Sequence, residues 1–166
     1  MAVLASNNGR PVGRMILRVE AADGALVAER RAGNMVLRGG AAIIANLFTG
    51  AVGAKPIDTI AIGFAQLPGD AELIQLTPPD PAKGIPPAAV RTPLPPESFT
   101  VVVDQAGAVQ VRVAARFKPT RELADVSEAG LLAGDALYNQ VIFEPVTLST
   151  GQDVTLFWQI DFPFGH

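Results

Sequence analysis

The chain has 166 residues, of which 49% are apolar and 17% are charged, and its formal net charge is −3. This length suits a single domain with a sizeable core, and the negative charge without a basic cluster argues against binding nucleic acid or an anionic membrane. The absence of cysteine excludes disulfides and thiolate metal sites.

The first thirteen residues predict an N-terminal arm that precedes the folded domain. They are polar, with turn residues at Asn8-Gly9 and Pro11. Such an arm needs a neighbouring subunit to become ordered, so we expect Pro11 to be an assembly contact. The stretch 1–14 lacks the apolar core of a signal peptide, and no run of about 18 apolar residues follows that would span a membrane.

Residues 14–166 predict a single antiparallel β-sandwich of eight or nine strands with one short α-helix. The first strand, residues 14–20, alternates so that Met15, Leu17 and Val19 share one face. Asp23-Gly24 supplies the positive φ angles of a tight turn. Residues 26–30 therefore complete a hairpin, and 34–37 form another short strand.

The predicted helix covers residues 40–49 and ends at Gly50, a typical helix C-cap. Its apolar residues recur at helical spacing, at Ile43, Ile44, Leu47 and Phe48. A helix of ten residues is marginal alone in water, so this stripe is expected to pack on the sheet. The Gly39-Gly40 pair is read as a tight strand-to-helix turn, and residues 57–64 as a buried strand.

Residues 77–97 form a proline-rich loop that holds eight of the 14 prolines. Proline removes hydrogen-bond donors from a sheet, so an extended loop or edge excursion is predicted here. We favour a stiff surface loop that contacts a neighbouring subunit over a signalling ligand of the PxxP type. The expected contacts are Pro86, Pro87 and Pro95.

The second half predicts two further hairpins. Residues 99–104 and 109–117 flank the turn at Gln105-Ala106-Gly107, and residues 136–165 read as a hairpin that closes the domain. In its last strand Trp158 lies on one face with Leu156 and Ile160, which favours a core position over a sugar-stacking platform. Tyr138 and Phe157 are the aromatic residues expected at a contact surface.

The chain offers little that supports catalysis. Its single histidine is His166, a terminal residue that we read as an assembly contact and not as a general base. We favour a solvated, turn-like segment for Glu122, Asp125 and Glu128 over a catalytic carboxylate pair, with Glu128 bonding the backbone at the entrance to a turn at Gly130. Neither a calcium-loop spacing nor a phosphate-binding glycine motif is present. The sequence thus predicts no enzyme, no cofactor and no metal site.

Six segments of the chain form a recognisable series of motifs. They are NMVLRGG (34–40), AAIIANLFTG (41–50), IDTIAIG (57–63), SEAGLL (127–132), LYNQVIF (137–143) and GQDVTLFWQIDF (151–162). Together they resemble the small structural proteins of tailed phages, namely tail-fibre, collar-fibre and minor tail proteins, including those of phage-derived contractile particles. The chain departs from them at Arg38-Gly39, where a Thr or Ser cap is usual, and at Phe64-Ala65-Gln66, where Gly-Thr-Gly is usual.

The resemblance implies a non-enzymatic component of a virion or of a contractile injection system that acts through subunit assembly. It implies a homo-oligomer that contacts other particle proteins and is made in the bacterial cytoplasm without a signal peptide, then carried in a virion or an extracellular phage-like particle. The alternatives are a carbohydrate-binding module that recognises a host-surface glycan and a capsid decoration protein. No catalytic residue carries over.

Overall fold

The computed structural model describes residues 12–104 and 107–164, which form one antiparallel sheet and one α-helix. The helix is α1 (Arg38–Thr49). The strands are β1 (Val12–Glu20), β2 (Leu26–Val36), β3 (Thr59–Gly63), β4 (Arg91–Pro93), β5 (Phe99–Asp104), β6 (Ala108–Phe117), β7 (Leu123–Ala133), β8 (Ala136–Leu137), β9 (Asn139–Leu148) and β10 (Asp153–Pro163). The predicted class, mainly β and antiparallel with one short helix, is confirmed.

The strands follow the order β4-β3-β7-β9-β2-β1-β10-β6-β5, with β8 paired to β7. The sheet curls, because β4 near one end of this order contacts β6 near the other. Apolar side chains from the inner face of both arms share one core, including Leu17, Ile60, Val113 and Val141. A single curled sheet therefore supplies both layers of the fold.

The predicted hairpin at the start of the domain is present. Met15, Leu17 and Val19 are at most 1% exposed, as the alternation predicted. Gly24 has a φ of 83°, and the Ala25 amide donates to the Asp23 carboxylate in the turn. The chain enters β1 at Val12, before the predicted boundary, and β2 is one continuous strand where two short ones were expected.

The predicted closing hairpin is wrong. β9 pairs with β7 and β2, whereas β10 lies between β1 and β6. Ser149 and Gln152 hydrogen-bond to each other at the bend between the two strands, but the β1–β2 hairpin then separates them in the sheet. Alternation specifies which face of a strand is buried, and any strand with a matching apolar face satisfies it, so the partner was not determined locally.

The helix begins and ends close to prediction, but its packing differs. Gly50 ends it with a φ of 64°, and Leu37 at its start supplies no side-chain cap. Gly39 and Gly40 lie against the backbone of Leu137 and Tyr138, where a Cβ at either position would overlap a carbonyl oxygen. These glycines therefore let the helix start approach the sheet closely.

Only Gly40 and Ile43 are buried in α1, so the expectation that its whole apolar stripe packs on the sheet is wrong. Ile44, Leu47 and Phe48 are exposed. The helix contacts the short strand β8 near its start, and Ile43 packs into the main core, so the exposed residues lie on the rest of the helix surface.

Candidate assembly surfaces

Phe157 lies on the outer face of the sheet and is 42% exposed. The register places it between Ile16 of β1 and Ala114 of β6. The groove beside it has a volume of about 330 Å³, and its polar lining includes Arg14, Glu97, Ser98, Thr100, Arg112 and Gln159. Phe157 is thus an accessible aromatic ring with charged neighbours, and its role as an assembly contact stays a prediction.

The expectation that Tyr138 lies at a contact surface is wrong. Its side chain is 3% exposed, and it belongs to the main core cluster. Its hydroxyl finds no hydrogen-bond partner among the described residues. Burial raises the pKa of this hydroxyl to about 12. Tyr138 lies between the two-residue strand β8 and β9, and its ring lies against Gly40 at the start of the helix. Local alternation of apolar residues did not indicate this contact.

The proline-rich loop is more ordered than a plain extended loop. It contains short 3-10 helices at Pro81–Lys83, Pro87–Val90 and Pro96–Ser98, together with edge strand β4. Ala89, Val90 and Leu94 anchor it in the core. The Arg121 guanidinium donates to the carbonyls of Gly84, at 2.9 Å, and Lys83, at 3.2 Å.

Of the predicted loop contacts, Pro86, Pro87 and Pro95 are all exposed on this anchored loop. Their participation in assembly stays a prediction. The predicted contacts Pro11 and His166 lie outside the described residues.

Two apolar surfaces were missed by the sequence reasoning. The helix surface consists of Ile44, Leu47, Phe48 and Val52, which are 37%, 44%, 92% and 106% exposed. The edge surface consists of Val101 and Val103 on β5 and Phe164, which are 65%, 70% and 50% exposed. Both patterns are typical of core-facing residues, so nothing in them indicates exposure to solvent.

A buried polar cluster surrounds Glu128 of β7. This side chain is fully buried. Its carboxyl oxygens accept hydrogen bonds from the amide of Thr77, at 2.9 Å, the amide of Ala65, at 3.4 Å, and the side chain of Gln140, at 2.6 Å. The Ser127 hydroxyl donates to the Ala65 carbonyl at 2.5 Å. Together these bonds fasten the connection 64–77 to the sheet.

The position of Glu128 corrects the expectation of a turn-like, solvated segment. Backbone bonding by Glu128 is confirmed, but Gly130 lies inside β7 and not in a turn. Glu122 and Asp125 are exposed as predicted, with Asp125 at a φ of 59° where the β7–β9 register shifts. The Glu128 carboxyl group is occupied by three donors, so its evident role is to hold the loop.

Among the described residues, no cluster of three or more His, Cys, Asp or Glu side chains is arranged to hold a metal ion. Within the same ranges, no helix has the length and apolar character needed to cross a membrane.

Comparison with known proteins gives no match: no protein-family model, no curated protein and no solved structure matches the chain. We therefore infer function from the residues and their geometry. The arrangement presents exposed apolar and proline-rich surfaces on a well-packed sheet, which is suited to protein–protein contact.

Proposed function

We propose that the protein is a non-enzymatic structural component of a phage virion or a phage-derived tail-like particle, acting through subunit assembly. The observation that carries the proposal is the helix surface, where Phe48 and Val52 are almost fully exposed. Contiguous apolar side chains exposed to water are characteristic of surfaces that a partner covers. The edge surface on β5 adds a second such site.

The motifs behind the phage resemblance have packing roles that support it. A Cβ on Gly63, the last residue of the IDTIAIG motif, would overlap the Glu128 carboxyl group. A Cβ on Gly130, within the SEAGLL motif, would lie 2.7 Å from the Asn139 carbonyl oxygen. The glycines of both motifs thus leave room for buried groups of neighbouring segments, and this packing role supports a structural function.

In the proposed assembly the sheet is a rigid support, and the segments at its surface contact the neighbouring subunits. The proline-rich loop and the N-terminal arm contact neighbouring subunits, and the subunits form a symmetric homo-oligomer with other particle proteins as partners. The protein is made in the bacterial cytoplasm and carried in the particle, in a tail, collar or fibre-associated position, with capsid decoration as the alternative position.

The test is labelling of intact particles from a producing strain with an antibody against the protein, viewed by electron microscopy. We expect label at a fixed position on each particle, and none on particles from a strain that lacks the coding sequence. Particles that are complete and unlabelled, with the protein free in solution, would contradict the proposal.

The second candidate is recognition of a host-surface glycan, and the groove beside Phe157 favours it. An exposed aromatic ring flanked by Arg14, Arg112 and Gln159 can stack on a sugar and donate to its hydroxyls. A glycan array probed with the free protein and with Phe157→Ala tests this candidate. Specific binding that the substitution abolishes would support it, and equal signals from both proteins would exclude it.

A further inference from the structure

The edge surface lies on the same face of the sheet as the core. Across β6, Val101 is in register with Ile160 of β10, a core residue that is 5% exposed. Val103 is in register with Phe162 in the same way. Side chains that are opposite each other on neighbouring strands share one face, yet Val101 and Val103 are 65% and 70% exposed. The apolar inner face of the sheet therefore extends beyond the covered core and is open to solvent at this end.

The chain enters the sheet at the same end. β1 begins at Val12, which is in register with Asp161 near the end of β10. Residues 1–11 lie outside the described part of the chain, but they are joined to it at this point. Three strand spacings separate β1 from β5, a distance of about 14 Å. The segment from Leu4 to Val12 can span up to about 26 Å, so Leu4 can reach Val103 of its own chain.

The first part of this arm is apolar, although the arm as a whole is rich in polar and turn residues. Residues 1–5 read MAVLA, and no charged side chain precedes Arg10. Because these apolar residues are tethered beside an open apolar surface, their effective concentration there is on the order of millimolar. A separate molecule would have to compete with that concentration. Chain length and the point of attachment therefore favour the arm of the same chain as the occupant of the edge surface.

We propose that residues 2–5 lie over the edge surface of their own chain in the free subunit and cover Val101, Val103 and Phe164. The inference goes beyond the proposed function, in which the arm contacts neighbouring subunits in the particle, because it concerns the subunit before assembly. Exchange of the same contact between copies is then a low-cost route to an assembled state.

Thiol accessibility tests the contact, because the chain has no native cysteine. Val103→Cys places a thiol in the covered surface, and Leu26→Cys places the control thiol at a 54% exposed position at the other end of β1. Adding Val3→Ser and Leu4→Ser removes the apolar contact without adding charge. We expect this pair to raise the iodoacetamide alkylation rate of the Val103→Cys protein at least about fivefold, and that of the Leu26→Cys protein less than about twofold.

An alkylation rate of the Val103→Cys protein that the serine pair leaves unchanged would overturn the inference. The matched arm variant carries Asn7→Ser and Asn8→Ser, which alter two polar residues and should leave the rate as it was. The emission of the single tryptophan confirms that each variant is folded. A rate increase from the asparagine pair equal to that from the serine pair would also overturn the inference, because the apolar residues would then have no special part in the protection.

Dilution identifies the molecule that supplies the cover. Protection of the Val103→Cys thiol that is the same at low and at high protein concentration supports cover by the same chain. Protection that disappears on dilution would assign the cover to a second copy and overturn the inference.

These measurements use the purified free subunit, so they fail independently of the proposed function. An unprotected thiol overturns the inference, whereas labelled particles would still support the function. A protected thiol supports the inference even if particles carry no label, a result that would contradict the function alone.

Discussion

At the scale of single residues, the structure assigns buried polar groups to packing and structural roles. The Tyr138 hydroxyl has no partner among the described residues, and the same is true of the Trp158 indole N–H. Both side chains therefore stabilise the core through their buried apolar area and not through a hydrogen bond to another described residue. Glu128 differs, because three donors reach its carboxyl group.

The raised pKa of Tyr138, about 12 against an ordinary value of 10.0, predicts a loss of stability in alkali. The unfolded chain releases the phenolic proton first. The contribution of Tyr138 to the free energy of unfolding is therefore fully present below pH 10 and is lost as pH rises towards 12, by up to roughly 2–3 kcal/mol. Tyr138 is the only tyrosine, so ultraviolet absorbance of its phenolate reports the titration directly.

Tyr138→Phe is the matched variant for this titration. Its free energy of unfolding at neutral pH should stay within about 1 kcal/mol of the wild-type value, because the hydroxyl that it lacks has no hydrogen-bond partner among the described residues. The part of the alkaline destabilisation that comes from Tyr138 should disappear. A phenol that titrates at its ordinary pKa in the folded protein would contradict the burial of Tyr138.

At the scale of elements, the decisive contact is between the connection 64–77 and β7. The connection has no strand or helix of its own, and the Glu128 and Ser127 side chains hold it at Thr77 and Ala65. Gly63 provides the space that the Glu128 carboxyl group needs. Gly63 of the IDTIAIG motif and Glu128 of the SEAGLL motif are therefore in direct contact, and each limits the side chain that the other position can carry.

Because Gly63 and Glu128 are in contact, we expect the free-energy costs of substituting them to be non-additive. Glu128→Ala should cost about 3 kcal/mol, because it leaves the Thr77 amide and the Gln140 side chain without their acceptor. Gly63→Ala should cost about 1–3 kcal/mol through overlap with Glu128. The double variant should cost less than the sum, because removing the carboxyl group also removes the overlap.

Chemical denaturation of the four proteins measures this coupling. Gly33→Ala is the control, because a Cβ there meets nothing closer than a backbone oxygen at 3.8 Å. Strictly additive costs would show that Gly63 and Glu128 act independently.

At the scale of the whole molecule, β10 is an interior strand of the sheet that lies between β1 and β6. It pairs along its length with β1 and β6, and its inner face carries Leu156, Trp158 and Ile160, each at most 5% exposed. The neighbouring outer-face residue Phe157 is half-exposed by contrast. Substitutions at adjacent positions therefore act on opposite sides of one layer.

Trp158→Ala should destabilise the protein by about 3–5 kcal/mol, because it removes the largest fully buried side chain from this strand. Phe157→Ala, the adjacent outward position, should cost roughly 1 kcal/mol. Denaturant unfolding compares the two variants. The single tryptophan should also emit at short wavelength and resist quenching, and a red-shifted, readily quenched emission would refute its burial.

Much of the fold was predictable because β alternation and turn chemistry are local. Met15, Leu17 and Val19 face the core as their spacing indicated, and Gly24 and Gly50 have the positive φ angles that a turn and a helix end require. Burial of Trp158 followed from its register with Leu156 and Ile160. These features depend on sterics within a few residues, which the sequence encodes directly.

Strand partners and the burial of the helix were decided by the tertiary structure. The same alternation in β9 suits pairing with β10 or with β2, and only the assembled sheet places the β1–β2 hairpin between them. The apolar stripe of α1 is typical of a core face, yet the helix docks through Gly40 and Ile43 and leaves Phe48 in solvent. Alternation and helical spacing state which side of an element is apolar, whereas what covers that side depends on contacts distant in sequence.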